Sequence, residues 1–145
     1  MKSNPVIIER VYPVPVSEIW DAITNNEKLK QWYFKLPEFK PEVGFEFSFY
    51  GGKTPERTYR HIGVVTAVVP YKRLSYSWRY EGLSGDSEVS FELFDEEDKT
   101  RVQIIHTGIE TLAPGDPDFA PENFIEGWTY FLNTALKDFL SVQTL

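Results

Sequence analysis

The chain has 145 residues, of which 22 are acidic and 15 are basic, giving a formal net charge of −7 at pH 7. This length predicts a single domain, residues 1–145, around one hydrophobic core. Binding a phosphate backbone needs clustered cations, so the acidity disfavours nucleic acid as a partner. The sequence contains no cysteine, which excludes disulfides, zinc–thiolate sites and cysteine nucleophiles.

The apolar runs bear on the compartment in which the protein works. They are far shorter than the roughly 20 residues of a membrane span, so stable membrane insertion is not expected. The N-terminal residues lack the continuous apolar block of a secretory signal. We therefore expect a cytoplasmic protein.

The chain is rich in aromatic residues, which make up 16% of it. A core of this size needs fewer. Large rings either fill a core or line a cavity, and composition alone favours the core. The excess is still the main clue to function that composition offers.

The first part of the chain predicts one strand and two short helices. The β-branched and aromatic stretch Val6 to Tyr12 is typical of a strand. Ser17 is positioned to cap a helix, and the pair Asn25-Asn26 is positioned to end that helix and cap a second one that runs to Trp32. The segment 33–44 contains prolines and scattered rings, which indicates a loop that carries buried aromatics.

From Phe45 onwards apolar and polar residues alternate, which predicts five further strands. They cover Phe45 to Phe49, Tyr59 to Val69, Leu74 to Tyr80, Val89 to Leu93 and Val102 to His106. One apolar and one polar face per strand is typical of an antiparallel sheet with one solvated side. Alternation breaks between Val64 and Val69, which leaves the register open there and fits a bulge. The acidic run Asp95 to Asp98 fits a solvated hairpin turn rather than a calcium loop.

The last segment predicts one amphipathic helix from about Pro121 to Val142, because its apolar residues recur at intervals of three and four. Such a helix would be roughly 33 Å long, enough to cross a six-stranded sheet.

Several residues, in this order, resemble one family of proteins. They are Arg10, Pro15, Ile19, Trp20, Ala22, Thr24, Leu29, Trp32, Gly44, Phe47, Gly63, Val65, Pro70, Leu74, Tyr76, Trp78, Val102, His106, Thr107, Gly108, Gly127, Trp128, Leu132 and Leu136. The pattern resembles the helix-grip, START-like (SRPBCC) superfamily and, within it, the homologues of the activator of the 90-kDa heat-shock protein ATPase.

The resemblance implies an α+β helix-grip fold. A bent six-stranded antiparallel sheet would wrap around the long C-terminal helix, with two short helices after the first strand and an apolar cavity between sheet and helix. It also implies binding of lipid-like or aromatic small molecules. The eukaryotic activators carry an N-terminal chaperone-binding domain that we do not find in this sequence, so chaperone activation is not expected of it.

The residues expected to line the cavity are those on the apolar faces of the strands and of the long helix, with those at a presumed entrance. They are Trp32, Phe34, Phe47, Phe49, Tyr59, His61, Tyr76, Trp78, Phe91, Ile104, His106, Trp128, Phe131, Leu132 and Ala135. His106 is either a core histidine satisfied by a hydroxyl or carbonyl, or a polar anchor for a ligand. Trp128 is either a core residue or a cavity wall. Trp32 and Phe34 could lie at an entrance or on a plain surface loop.

Three functions remain open at this point. The first is binding of a small hydrophobic molecule for carriage or sensing, and the second is a protein-interaction module of the chaperone-cofactor or regulator type. The third is an enzyme acting on a polyketide-like substrate, for which no catalytic residue can be assigned. No cofactor, metal or nucleotide is expected, because histidines are few and no phosphate-binding glycine motif occurs.

Overall fold

A computed structural model describes residues 5–33, 36, 38–52, 58–114 and 116–143. The six strands are β1 Val6–Tyr12, β2 Glu46–Gly52, β3 Thr58–Val69, β4 Arg73–Tyr80, β5 Ser87–Glu96 and β6 Lys99–Thr107. Two helices follow β1, namely α1 Val16–Thr24 and α2 Asn26–Trp32. The C-terminal helix comprises α3 Pro121–Tyr130, a π-helical segment Phe131–Leu136 and α4 Lys137–Gln143.

The strands form one open antiparallel sheet in the order β1-β6-β5-β4-β3-β2. This confirms the six predicted strands and the α+β class. The first strand pairs with the last, so that Val6 lies opposite His106. The register between β3 and β4 shifts between Val65 and Ala67, which confirms the predicted bulge.

The starts of the two short helices confirm one predicted cap and correct the other. The Asn25 side chain accepts hydrogen bonds from the main-chain N–H groups of Glu27 and Lys28, as expected of an N-cap. The predicted Ser17 cap is wrong. The first helical turn begins two residues earlier, because Glu18 N–H donates to the Pro15 carbonyl at 3.0 Å and places Pro15 in the cap position.

The C-terminal helix covers the predicted range, but its middle is not α-helical. The segment Phe131–Leu136 is a π-helix. Tyr12 of β1 donates its hydroxyl hydrogen to the Leu132 carbonyl oxygen at 2.6 Å, and Arg10 donates to the Asn133 side-chain oxygen at 2.9 Å. These bonds tie the π segment to the edge of the sheet. Segments of this kind occur often at functional sites.

The core lies between the sheet and the helices. Leu74, Val102 and Ile104 of the sheet and Leu132 and Leu136 of the C-terminal helix are almost completely buried. Within the ranges described above, no helix is both long and apolar enough to cross a membrane.

Candidate functional site

Aromatic rings pack against one another between the sheet and the C-terminal helix. We call this set the interior ring cluster: Tyr33, Phe49, Tyr76, Trp78, Phe91, Trp128 and Phe131. Trp78 meets Trp128 at 5.3 Å between ring centroids, and Phe91 meets Trp128 edge-on at 6.3 Å. Edge-on contacts are among the arrangements that aromatic pairs prefer. The aromatic excess of the sequence is therefore concentrated at the interface where a ligand cavity was expected.

A chain of hydrogen bonds runs through His106, which lies beside Trp78 and Trp128 of this cluster. The Trp128 indole N–H donates to His106 Nδ1 at 3.1 Å, and His106 Nε2 lies 2.8 Å from the Ser87 hydroxyl oxygen. That hydroxyl donates to the Trp78 carbonyl at 2.7 Å. Since an indole nitrogen only donates, Nδ1 must accept, and the proton of the neutral ring lies on Nε2 and points to Ser87.

His106 consequently has the partners of a core histidine. It is completely shielded from solvent, and burial lowers its pKa to about 3. A charged ring would carry a proton on Nδ1 and lose the bond from Trp128. In this arrangement both ring nitrogens are occupied, so neither is placed to take a proton from a substrate.

His61 on β3 lies at another part of the interior. Its ring stacks on Phe49 with 4.6 Å between centroids, and its Nδ1–H donates to the Tyr59 carbonyl at 2.9 Å. Burial lowers its pKa to about 4. Tyr59 itself packs on Tyr80 and on Phe119.

Two tyrosine hydroxyls form a buried pair within the cluster. The hydroxyl oxygens of Tyr33 and Tyr76 are 2.5 Å apart. Burial raises the pKa of both phenols, so both stay neutral at physiological pH. The pair therefore joins the end of α2 to the centre of the sheet by a hydrogen bond between neutral groups.

Little empty space remains in this part of the interior. The cavity beside the tyrosine pair has a volume of about 10 Å³, at most one water molecule. Its walls are Ile23, Leu29, Tyr33, Leu36, Phe39, Phe47, Leu74, Tyr76 and Phe91. An aromatic ligand fits here only if a ring of the protein leaves.

The expected cavity residues divide by their burial. Ten of them are buried, namely Phe47, Phe49, His61, Tyr76, Trp78, Phe91, Ile104, His106, Trp128 and Leu132. Trp32 is also buried, and its indole N–H donates to the Ala22 carbonyl at 2.9 Å, which holds α2 on α1. Tyr59, Phe131 and Ala135 are only partly buried. Phe34 lies outside the described residues.

Sequence reasoning missed two residues of the site. Tyr33 belongs to a segment without periodicity, and nothing in such a segment predicts where a ring points. Ser87 could have been found, because it precedes Val89 by two residues and so shares the apolar face of β5. A polar residue on an apolar face is the same signal that singled out His106.

A wide surface groove of about 630 Å³ lies elsewhere, at the turn between β3 and β4. It is lined by Val16, Val69, Tyr71, Lys72, Arg73, Glu92, Leu93, Phe94 and Asp95. Across the described ranges, no three histidine or acidic side chains come together in a way that could hold a metal ion.

The open antiparallel sheet with a C-terminal helix across its face is the helix-grip arrangement of START-like (SRPBCC) proteins. The family model described as "Activator of Hsp90 ATPase homolog 1-like protein" matches residues 13–141, and the chain belongs to that family. Among curated proteins, none matches this sequence.

Solved structures share the fold over nearly the whole chain. A Mesorhizobium loti protein is 26% identical with a TM-score of 0.79, over 98% of this chain and 100% of its own. A Rhizobium loti protein is 21% identical with a TM-score of 0.80, over 96% and 97%. A protein of the dynemicin biosynthetic locus is 22% identical with a TM-score of 0.78, over 96% of this chain but only 48% of its own. This chain thus spans about half the length of that last protein.

Proposed function

We propose that the protein binds a small hydrophobic molecule, aromatic or lipid-like, between the sheet and the C-terminal helix, for carriage or sensing. The observation that carries the proposal is the interior ring cluster, in which neutral polar groups are enclosed among aromatic faces. Ligand pockets commonly combine an apolar lining with a few placed polar groups. The family to which the chain belongs supports the same function.

The polar groups of the interior favour a neutral ligand. Tyr76 and His106 are almost completely buried, and burial disfavours the charged form of each. A charged ligand group would lose its hydration at the same place without an opposite charge to compensate. We expect aromatic or acyl compounds to bind with micromolar affinity.

The first experiment is native mass spectrometry of the protein purified from its host. A bound adduct of a few hundred daltons, released on denaturation and absent from a refolded sample, supports the proposal. A stoichiometric protein partner in place of an adduct contradicts it and favours the interaction module instead.

The second experiment locates binding with the tryptophan indole N–H signals in a ¹⁵N NMR spectrum. Trp78 and Trp128 lie in the interior ring cluster, whereas Trp20 packs on Tyr71 of the surface groove with 6.1 Å between centroids. Added 2-naphthol, which is neutral, should shift the signals of Trp78 and Trp128. Trp20→Phe identifies the indole signal of Trp20, because that signal disappears from the spectrum. The variant also serves as the control, because loss of the Trp20 ring should leave binding unchanged. Shifts confined to Trp20 would place binding in the groove and contradict an interior site.

The surface groove is the observation that favours the second candidate, a protein-interaction module. Tyr71 at its rim is 51% exposed and Val69 is 43% exposed. Large apolar side chains exposed side by side are typical of protein contact sites. Under this alternative, Tyr71→Ser would abolish capture of the partner seen by native mass spectrometry and leave 2-naphthol binding intact. The cytoplasmic location expected from the sequence stays a prediction under both candidates.

A further inference from the structure

The Tyr33 ring lies inside the cluster formed by the sheet and the C-terminal helix, although it comes from the end of α2. Its main-chain N–H donates to the Leu29 carbonyl at 2.7 Å, which closes the helix. From there the ring reaches Phe131 at 4.9 Å between centroids, and it lies almost parallel to Trp128 at 6.3 Å. The ring thus occupies the interface proposed to hold a ligand.

The buried end of this ring is polar. Its hydroxyl meets that of Tyr76 at 2.5 Å, deep in the structure, where Tyr76 is 3% exposed. Phe91 lies edge-on to the ring at 6.4 Å between centroids. A phenol group therefore lies between ring faces and has its hydroxyl directed at a buried hydroxyl.

Tyr33 is less deeply buried than some of the rings it packs on. Tyr33 and Phe131 are partly buried, whereas Phe91 and Trp128 beneath them are 2% and 3% exposed. Tyr33 and Phe131 are therefore more exposed than the rings on which they pack. With about 10 Å³ of empty volume beside the pair, a further ring cannot enter while Tyr33 is in place.

We propose that the Tyr33 ring fills an aryl subsite and that a neutral phenol-bearing ligand enters by exchange with it, its hydroxyl replacing that of Tyr33 on Tyr76. The inference rests on the proposed function and names the ligand class for the same site. Once Tyr33 leaves, the Tyr76 hydroxyl loses this partner. An unpaired buried hydroxyl is unfavourable, so a ligand that restores the bond is preferred over a hydrocarbon of the same shape.

Exchange also lowers the apparent affinity of the native protein. Only molecules in which Tyr33 is displaced can bind the ligand. The apparent association constant is therefore the intrinsic constant multiplied by the fraction of such molecules. Removal of the ring therefore increases affinity. The direction of this change in affinity distinguishes a displaced ring from a residue that lines the cavity, because removal of a lining residue would weaken binding.

The test uses p-cresol and toluene, which match the side chains of tyrosine and phenylalanine. Isothermal titration and thermal melting compare the native protein, Tyr33→Ala, and Tyr33→Ala with Tyr76→Phe. We expect p-cresol to bind Tyr33→Ala at least tenfold more tightly than it binds the native protein. The ratio of p-cresol to toluene affinity should fall about tenfold when Tyr76 is also replaced. Tyr50→Ala is the matched control, because Tyr50 is 71% exposed and its removal should create no site.

The outcomes distinguish this inference from the proposed function. Equal p-cresol affinity with and without the Tyr76 hydroxyl, or weaker binding by Tyr33→Ala than by the native protein, overturns the inference. If the inference fails but the Trp78 and Trp128 signals of the native protein respond to 2-naphthol, the proposed function stands. If Tyr33→Ala binds p-cresol but the native protein gives no adduct and no response, the subsite stands and the proposed function fails. Should Tyr33→Ala not fold, Tyr33→Leu removes the ring with less loss of apolar contact and gives the same comparison.

Discussion

The hydroxyl of Tyr12 lies 2.6 Å from the main-chain carbonyl oxygen of Leu132, a residue 120 positions later in the chain. This bond joins an edge strand to the π segment of the C-terminal helix. A π segment changes the helical hydrogen-bond pattern, and its carbonyls gain from a donor outside the helix. Tyr12 supplies that donor from a buried position.

Replacement of Tyr12 by phenylalanine should therefore lower the free energy of unfolding by about 1–2 kcal/mol, because the Leu132 carbonyl loses its buried donor. Urea denaturation measures the loss. Tyr130→Phe removes a hydroxyl from a side chain that is 56% exposed, and we expect a change of less than about 0.5 kcal/mol. Equal effects of the two changes would show that the bond to the π segment contributes nothing specific.

A second prediction contrasts buried Ser87, which bonds to His106 and to the Trp78 carbonyl, with the buried pair Ser75 and Ser90. Ser87→Ala leaves the His106 Nε2–H and the Trp78 carbonyl without their shared partner, which should cost about 1–3 kcal/mol.

The hydroxyl oxygens of Ser75 and Ser90 lie 2.6 Å apart and bond to each other. Replacing both by alanine removes donor and acceptor together, so the double variant should be more stable than Ser75→Ala alone. A double variant less stable than the single one would contradict this account of buried hydroxyls.

The two histidines predict how stability depends on pH. Burial lowers the pKa of His106 to about 3 and that of His61 to about 4, against about 6.5 when unfolded. Below pH 6.5 the unfolded chain therefore binds more protons than the folded protein. Stability falls on acidification towards the folded pKa values, by up to about 1.4 kcal/mol per pH unit for each histidine.

Urea unfolding between pH 7 and pH 4.5 measures this slope. His61→Phe keeps an aromatic ring in the stack on Phe49 and should reduce the slope by up to about 1.4 kcal/mol per pH unit. In ¹⁵N NMR spectra His106 should stay neutral, with its proton on Nε2, down to pH 4. An unchanged slope in the variant, or a His106 ring that titrates near pH 6.5, would contradict the burial of these rings.

Two glycines predict stability changes of opposite sign. A Cβ atom on Gly63 would lie 2.8 Å from the Ser77 carbonyl oxygen and 2.6 Å from the Phe47 ring. Gly63→Ala should cost about 1–3 kcal/mol, because one of these neighbours must shift. A Cβ on Gly127 meets nothing within 4 Å, and this glycine lies inside α3.

Gly127→Ala should therefore stabilise the protein by about 0.5–1 kcal/mol through the better helix propensity of alanine. Thermal melting of the two variants side by side checks both signs. A Gly63→Ala variant as stable as the native protein would show that β2, β3 and β4 pack less closely around residue 63 than the distances to Phe47 and Ser77 indicate.

Much of the sheet could be predicted from sequence because alternation reports which face of a strand is buried. The Asn25 cap and the bulge after Val65 were predictable for a similarly local reason, since a cap and a break in alternation are visible in neighbouring residues. The π segment was not predictable. It is stabilised by Tyr12 and Arg10 of a distant strand, and the intervals of three and four in its apolar residues are those of any amphipathic helix.

The candidate site divides in the same way. Trp78, Phe91 and Trp128 were expected at the interface because they follow the period of their strand or helix. Tyr33 was not expected there, because it follows the last turn of α2 and no periodicity of the sequence indicates where its ring lies. The small volume of the cavity beside Tyr33 and Tyr76 was also beyond prediction, since the sequence shows the rings but not how closely they interdigitate.

The pairing of β1 with β6 has a consequence for the order of folding. Strands β2 to β6 pair in sequence order through successive antiparallel connections, whereas β1 must find a partner about a hundred residues away. On a ribosome the first strand would emerge long before β6 and wait without a partner. We expect β1 to dock late, so that substitutions in it mainly accelerate unfolding, whereas those in β4 and β5 slow refolding.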